Sequence, residues 1–395
     1  MARRDVAYIS GPVVRWGRQR AGLEPDALAA ILGKGYTAAH VSAWETGQSA
    51  PTFSQAEKLA KSLSLPLAVL FMEKPPDVSL PLPDLRRVRG EELRPPSPEF
   101  FDVLNDCLVR QQWYRDYQIR EKRPGLALVG KFRFGDDIFE VANDISATLH
   151  INDELRSSCE TWQSFLTQLI EAVEDAGILV MVSSVVRHAT RRSLSVNEFR
   201  GFTSADRLAP LIFLNSRDAR AALIFTLAHE LAHVWIAASG ISSPDPRRRW
   251  TDFIDPVEPY CNAVAAELLV PEENFHRAWE GRGTPQEKIT QISSFHRVSK
   301  MVTIIRAREL GALPYGEAGR LIDAEYQRFR EEREKQKEKE GGPAFWTLFP
   351  SRNSTHLTTA VLGDLDRGRI LFRDAADLLG VKLGTLERYR GVKAG

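Results

Sequence analysis

Thr226-Leu-Ala-His229-Glu230-Leu-Ala-His233-Val-Trp235 sets an H-E-x-x-H pattern inside an apolar run. Two histidines four residues apart stack on one face of a helix, close enough to share a metal ion. The glutamate beside the first histidine falls on the adjoining edge, within reach of a water at that metal. From Arg217 to Ala238 most other positions are apolar, among them Leu223, Ile224, Phe225, Leu227, Leu231, Val234, Trp235 and Ile236. A helix apolar on all sides is buried, and titratable groups buried together need a partner that offsets their desolvation. Chance would produce the pattern in about one in a hundred chains of this composition. Surface-facing histidines on an amphipathic helix are the weaker reading.

A catalytic zinc takes three protein ligands and keeps a fourth position open for water. The stretch Asp255 to Pro271 reads as a second helix, with Asp255 as N-cap, Pro256 at the first helical position and Pro271 beyond the end. Glu258 is the favoured third ligand, and Asn262, four residues on, is placed to orient a ligating histidine. Asp255 and Glu258 also have capping-box spacing, which needs no metal. Glu267 is the rival carboxylate. Nine residues at about 100° each put it on the opposite helix face from Glu258, so the two cannot serve one ion. Cys261 reads as pointing away from Glu258, a small buried apolar residue. With His229, His233 and Glu258 as ligands and Glu230 as general base, the chemistry is peptide hydrolysis. Histidine and carboxylate ligands accept manganese as well as zinc. Tyr260, His276 and His296 are available to stabilise an oxyanion, with no context that separates them. His150, His188 and His356 read as surface or structural histidines.

Residues 13–72 carry an independent signature. Arg18 to Gly33 reads as helix, Gly turn, helix; Thr37 to Pro51 and an amphipathic Phe53–Leu63 follow, then Leu65–Phe71 with the spacing of a short final helix. The Val41-Ser42-x-Trp44-Glu45-x-Gly47 core resembles the helix-turn-helix domain of Cro/CI-like (XRE) repressors. That resemblance implies a recognition helix over Thr37 to Trp44, presenting Thr37, Ala38, His40 and Ser42 to a major groove. Residues 1–72 hold eight Lys/Arg against five Asp/Glu, a balance of 8 − 5 = +3, small for a DNA binder. Pro25 stands where that class often has a phosphate-holding Gln. The competing reading is a helical module that binds protein, such as another copy of itself.

The chain has 395 residues and a net charge of +1, ordinary for a soluble multidomain protein. No apolar run has spanning length, and Met-Ala-Arg-Arg-Asp lacks the apolar stretch of a signal peptide. The expectation is therefore a cytoplasmic protein with no membrane partner. Three widely spaced cysteines make neither a disulfide framework nor a metal knuckle. Seven prolines over 73–98 read as an extended linker. Helical patterns cover Phe100–Lys122, Asp136–Thr148 and Ser158–Ala176. Gly177–Ser183 and Leu208–Leu214 are β-rich apolar runs, so a small sheet is expected beside the H-E-x-x-H helix. Glu331–Glu340 is a charged run, and 369–389 repeats a helix–Gly–helix pattern that reads as a pair docked on the catalytic domain or a partner. The division expected is a helix-turn-helix domain (1–72), linker (73–98), catalytic domain with helical flanks (99–340) and helical C-terminal region (341–395).

Four stretches together resemble the ImmA/IrrE metallopeptidases that carry their own XRE-type domain. They are Glu198-Phe-Arg-Gly-Phe202, Ala209–Asn215, Phe225–His233 and Glu258-x-x-Cys-Asn262-x-x-Ala-Ala-Glu-Leu-Leu-Val-Pro271. The resemblance implies a multidomain fold: an all-α helix-turn-helix domain, an α+β minimal zincin of gluzincin type, and a small helical C-terminal region. It puts the zinc ligands on His229, His233 and Glu258 and the catalytic glutamate on Glu230. It also implies a regulatory endopeptidase whose substrate is a helix-turn-helix repressor, with DNA as partner of the first domain and the linker at 73–98 as a reachable cut site. Ser351-Arg-Asn353 and Arg373-Asp-Ala-Ala resemble the tails of relatives encoded beside PIN-type nuclease toxins. A DNA-binding antitoxin that uses the protease-like fold as a scaffold, alone or as a homodimer, is the alternative; a zinc sensor that controls DNA affinity is a third.

Overall fold

The computed structural model describes residues 5–77, 79–86, 96–187, 189–242, 250–337 and 352–394. The chain divides into two units, Met1–Pro81 with Arg94–Leu104, and Leu82–Leu93 with Asn105–Gly395. The second unit thus begins inside the stretch read as a linker. No described helix is long and apolar enough to cross a membrane.

The first unit holds α1 (Gly11–Arg20), α2 (Pro25–Leu32), α3 (Ala38–Glu45), α4 (Phe53–Ser62) and a 3-10 turn at Leu67–Phe71. Val13, Val14, Leu28, Leu32, Val41, Trp44, Leu59 and Leu63 form its core. Pro25 occupies the first turn of α2, where a missing N–H costs nothing. Thr52 and Gln55 start α4 with a reciprocal capping box. Arg18 grips Glu45 with two parallel bonds, 2.6 and 3.1 Å, tying α1 to the end of α3. Gly11 lets the two helices meet there: a Cβ would come within 2.3 Å of the Glu45 carbonyl oxygen.

In the second unit α5 (Pro98–Arg120), whose first turns belong to the first unit, leads to α6 (Ile138–Thr148), α7 (Asp153–Ser158) and α8 (Trp162–Asp175). The single helix expected over Ser158–Ala176 is broken, because Cys159 ends α7 and the Thr161–Ser164 capping box starts α8 afresh. Six strands follow: β1 (Leu179–Ser183), β2 (Val185–Val186), β3 (Ala189–Ser193), β4 (Gly201–Ser204), β5 (Leu211–Asn215) and β6 (Gly240–Ser242). β2 and β3 pair as a hairpin, and the others form one sheet in the order β1-β5-β4-β6. β1 and β5 are the two apolar runs seen in the sequence; they pair in parallel, and β5 is buried along its whole length. β4 and β6, antiparallel neighbours, are too short and glycine-containing to signal themselves.

The H-E-x-x-H helix is α9 (Arg220–Trp235). It packs against β4 and β5 on one side and against α6, α8 and α10 (Val257–Leu269) on the others. Helices α11 (Glu272–Trp279), α12 (Pro285–His296), α13 (Lys300–Glu309) and α14 (Tyr315–Lys337) complete the body, followed by α15 (Thr355–Asp366), α16 (Phe372–Leu378) and α17 (Leu383–Ala394). The charged run ends outside the described residues, as does Phe345-Trp346. The C-terminal helices dock on α8 and α5: Thr355 N–H donates to Glu174 at 2.9 Å, and Arg110 Nε donates to the Leu378 carbonyl at 2.8 Å. The tail is thus packed against its own chain.

Two charges sit buried at the far end of α10. Arg306 on α13 pairs with Glu267 and donates Nε to the Val270 carbonyl at 3.0 Å. Breaking a buried pair strands the remaining charge, at about 3–5 kcal/mol. Glu267→Ala is therefore expected to lower the thermal unfolding midpoint sharply while leaving bound metal per folded chain unchanged. Metal lost from a still-folded variant would contradict this placement.

Candidate metal centre

Helix periodicity and one helix crossing assemble the site. Spacing within α9 brings His229 Nε2 to 3.0 Å from His233 Nε2. Glu258, in the first turn of α10, places Oε1 3.2 Å from His233 Nε2 and Oε2 3.6 Å from His229 Nε2. Helix α10 starts at Val257, one residue later than expected, because Asp255 accepts from the Val257 N–H at 3.0 Å. Glu258 is therefore turned to the histidines and takes no part in a capping box. One ligand atom from each of His229, His233 and Glu258 lies within 4.8 Å of the others.

All three side chains, and Glu230, are at most 1% exposed. Burial penalises the charge on Glu258, but His229 and His233 outweigh it and hold the carboxyl at about 2. Burial likewise opposes charge on His233, yet Cys261 and Glu258 together raise it well above the ordinary histidine value. Among the described residues His229 Nδ1 and Glu258 Oε1 make no hydrogen bond, Glu258 Oε1 having only its ion pair with His233 at 3.2 Å. Two imidazoles and a carboxylate converging on a buried point, with unpartnered polar atoms beside it, fit an ion of the zinc or manganese class.

His233 is aimed by its own helix end. Its Nδ1 meets the Ala238 carbonyl at 3.1 Å, leaving Nε2 for the centre. Ala237 makes this turn in the left-handed region, at φ 52°, and the Ala238 N–H returns to the His233 carbonyl at 2.9 Å. Asn262, expected to orient a ligating histidine, does not do so: among the described residues its buried Oδ1 and His229 Nδ1 each lack a hydrogen-bond partner. Cys261 corrects a second expectation. Its thiol interacts with His233 and senses Glu258 and Glu230, and burial pushes its pKa up. Three residues turn a helix about 300°, so Cys261 lies beside Glu258, only about 60° away.

Glu230 faces the sheet. Thr203 Oγ1 donates to Oε2 at 2.6 Å, and Ser242 Oγ donates to Oε1. Gly201 leaves the space: a Cβ there would stand 2.6 Å from Glu230 Oε1. Gly201 and Thr203 share the face of β4 toward α9, and Ser242 is the cross-strand partner of Gly201. Burial raises the Glu230 pKa, with the two histidines and the two hydroxyls drawing it part of the way back. Thr203 is detectable only by counting two residues from Gly201; Ser242 has no local signal at all. Of the other candidate groups, Glu267 is spent on Arg306, the Tyr260 hydroxyl donates to the Asp136 carbonyl at 2.9 Å, and half-buried His276 sits 3.6 Å from Glu272. Buried His296 is lowered to about 3 by burial and by Arg156. None of them belongs to the ligand group.

In the first unit α3 begins at Ala38, with Thr37 as its N-cap. The Thr37 hydroxyl lies 2.8 Å from His40 Nδ1 and also accepts the His40 N–H, so it is engaged in capping. Thr37, His40 and Ser42 are exposed and Ala38 is half-buried.

A raised His233 pKa makes metal binding proton-linked, because the ion must displace that proton. Affinity for zinc is expected to rise about tenfold per pH unit between pH 6 and the raised pKa, with one proton released. Competition with a chromophoric chelator at several pH values reads this; pH-independent affinity would contradict it. In the metal-free chain the sign reverses. The His233–Glu258 pair stabilises the fold below the ordinary histidine pKa, and that contribution is lost as pH rises through the raised one.

Two family profiles match the chain. Residues 173–308 match the IrrE N-terminal-like domain of peptidase family M78, and residues 14–70 match the helix-turn-helix profile. Comparisons with curated proteins and with solved structures returned no match. The first profile spans β1 to α13 and so contains the whole His229–Glu230–His233–Glu258 constellation; the second spans α1 to the turn at Leu67–Phe71. The chain thus carries a helix-turn-helix region of XRE type over 14–70, followed by an IrrE-like peptidase region over 173–308, the domain order of ImmA/IrrE proteins that have their own helix-turn-helix in front.

Proposed function

We propose that this protein is a zinc-dependent endopeptidase that cuts a regulatory protein, a helix-turn-helix repressor, at one site to control transcription in a stress or mobile-element response. The supporting observation is the convergence of His229, His233 and Glu258 on one buried point, with the buried Glu230 near enough for both histidines to draw its pKa down. The three ligands would hold the ion, which supplies Lewis acidity at the scissile carbonyl. Glu230 takes the proton of the attacking water on a carboxylate oxygen and passes it to the leaving amine. Thr203 and Ser242 keep that carboxylate aimed, so little orientation is lost at the moment of transfer. A site this closed suits a narrow substrate rather than general digestion. The helix-turn-helix unit brings the chain to DNA, where a bound repressor would be at hand.

The alternative, a DNA-binding antitoxin of a PIN-type nuclease, draws on the same closure, since a scaffold needs no accessible centre. The two readings separate in one experiment. Tagged wild-type and Glu230→Gln chains serve as bait in the source cell under stress, and every retained protein is identified by mass. The peptidase reading expects Glu230→Gln to keep its zinc and its fold, to lose cleavage by about 10²–10⁴-fold, and to trap an intact helix-turn-helix protein that the wild type clips. An uncut nuclease held equally by both baits would replace it with the antitoxin reading.

A further inference from the structure

Strand β6 is paired on one edge by β4, and its other edge carries the chain's own Leu82–Arg86. Ile241 N–H donates to the Pro83 carbonyl at 2.9 Å, and Leu85 N–H donates to the Ile241 carbonyl at 3.1 Å, with Asp84 bridging Ile241 in parallel. The segment read as an extended linker is here part of a sheet. It is pinned by its side chains. Arg86 holds Asp84 with two bonds, at 2.7 and 2.6 Å, and donates Nη1 to the Glu198 carbonyl at 2.8 Å. Leu82 and Leu85 are buried.

The location matters more than the pairing. Alternation along β6 puts Gly240 and Ser242 on one face, and Ser242 bonds Glu230. Leu85 fills the space over Gly240: a Cβ at Gly240 would meet Leu85 Cδ1 at 2.2 Å and Cγ at 2.7 Å. Leu85 therefore lies on the face that carries the catalytic glutamate. An extended polypeptide adds to a sheet through the free N–H and C=O groups of an edge strand. On the edge that touches Glu230, those groups at Ile241 are already taken by Pro83 and Leu85.

We propose that Pro83–Arg86 is a pseudosubstrate strap: in the free protein it occupies the sheet edge on which an extended polypeptide substrate docks beside Glu230, and the centre becomes accessible when the strap leaves. The proposal rests on the peptidase reading and adds its regulation. No covalent step is involved; substrate and strap compete for the same main-chain groups. The strap opens the second unit at Leu82, directly after the Met1–Pro81 stretch of the first unit. Whatever displaces it needs to break the two main-chain bonds and the Arg86 anchor and to uncover Leu82 and Leu85.

The test uses the clash over Gly240. Gly240→Ala evicts Leu85 without altering the strap or the ligands, and Gly240→Ala combined with Leu85→Ala removes the clash. Zinc-loaded full-length chains are compared by amide hydrogen exchange and by the rate at which 2,6-pyridinedicarboxylate strips the zinc. The expected result for Gly240→Ala is faster exchange over 82–86 and 240–242, unchanged protection in α9, and stripping accelerated about tenfold; the double variant returns toward wild type. A released strap with an unchanged stripping rate overturns the proposal. So does loss of α9 protection together with the strap, which makes the segment a core strand. A folded wild-type chain that retains no zinc overturns the peptidase reading itself, an outcome the stripping comparison cannot mimic.

Discussion

Burying His229, Glu230, His233 and Glu258 together is the constraint on which the second unit depends. Four ionisable groups at most 1% exposed would each carry a desolvation penalty of several kcal/mol if left alone. They are tolerable because they face one another. Glu258 holds the histidine pair, and the two hydroxyls of the sheet hold Glu230. The rest of the unit keeps α9 and α10 in the one crossing that allows this, with apolar side chains from α6, α8, β5 and α13 filling the space around them. The surrounding core also keeps water out, which strengthens every charge interaction inside.

The sheet has a chemical as well as a structural part. β4 contributes Gly201 for room and Thr203 for a hydrogen bond, while β6 contributes Ser242. Both strands are short, three or four residues, and neither would be stable apart from β5 and the helix beneath. The strand whose Ser242 bonds Glu230 is also the one whose outer edge the chain covers with Leu82–Arg86. The hydrogen bond to Glu230 and the pairing with Leu82–Arg86 thus meet on the same three residues of β6.

Much of this was legible in the chain before any coordinates. H-E-x-x-H states its geometry outright, because helical spacing is local and His229 and His233 are four apart whatever surrounds them. Glu258 was separable from Glu267 by the same turn arithmetic, and Glu267 is indeed engaged elsewhere, with Arg306. The Val41–Gly47 core marked the helix-turn-helix, and β1 and β5 announced themselves as apolar runs. Two departures from the sequence expectation are local in origin. Cys261 was misplaced although the turn angle puts it next to Glu258. The break between α7 and α8 was missed although the Thr161–Ser164 capping box marks a helix start.

Sequence alone determined what repeats with a fixed period: which residues share a helix face, where caps and prolines start and stop helices, and which side chains have the chemistry to hold a metal and move a proton. Only the tertiary structure decided which carbonyl aims His233, which hydroxyls hold Glu230, and that a proline-rich segment lies on β6 as a strand. Those contacts join residues from 5 to more than 150 positions apart along the chain. Strand pairing and helix crossing carry no period that spans such distances; they follow from packing the whole unit at once.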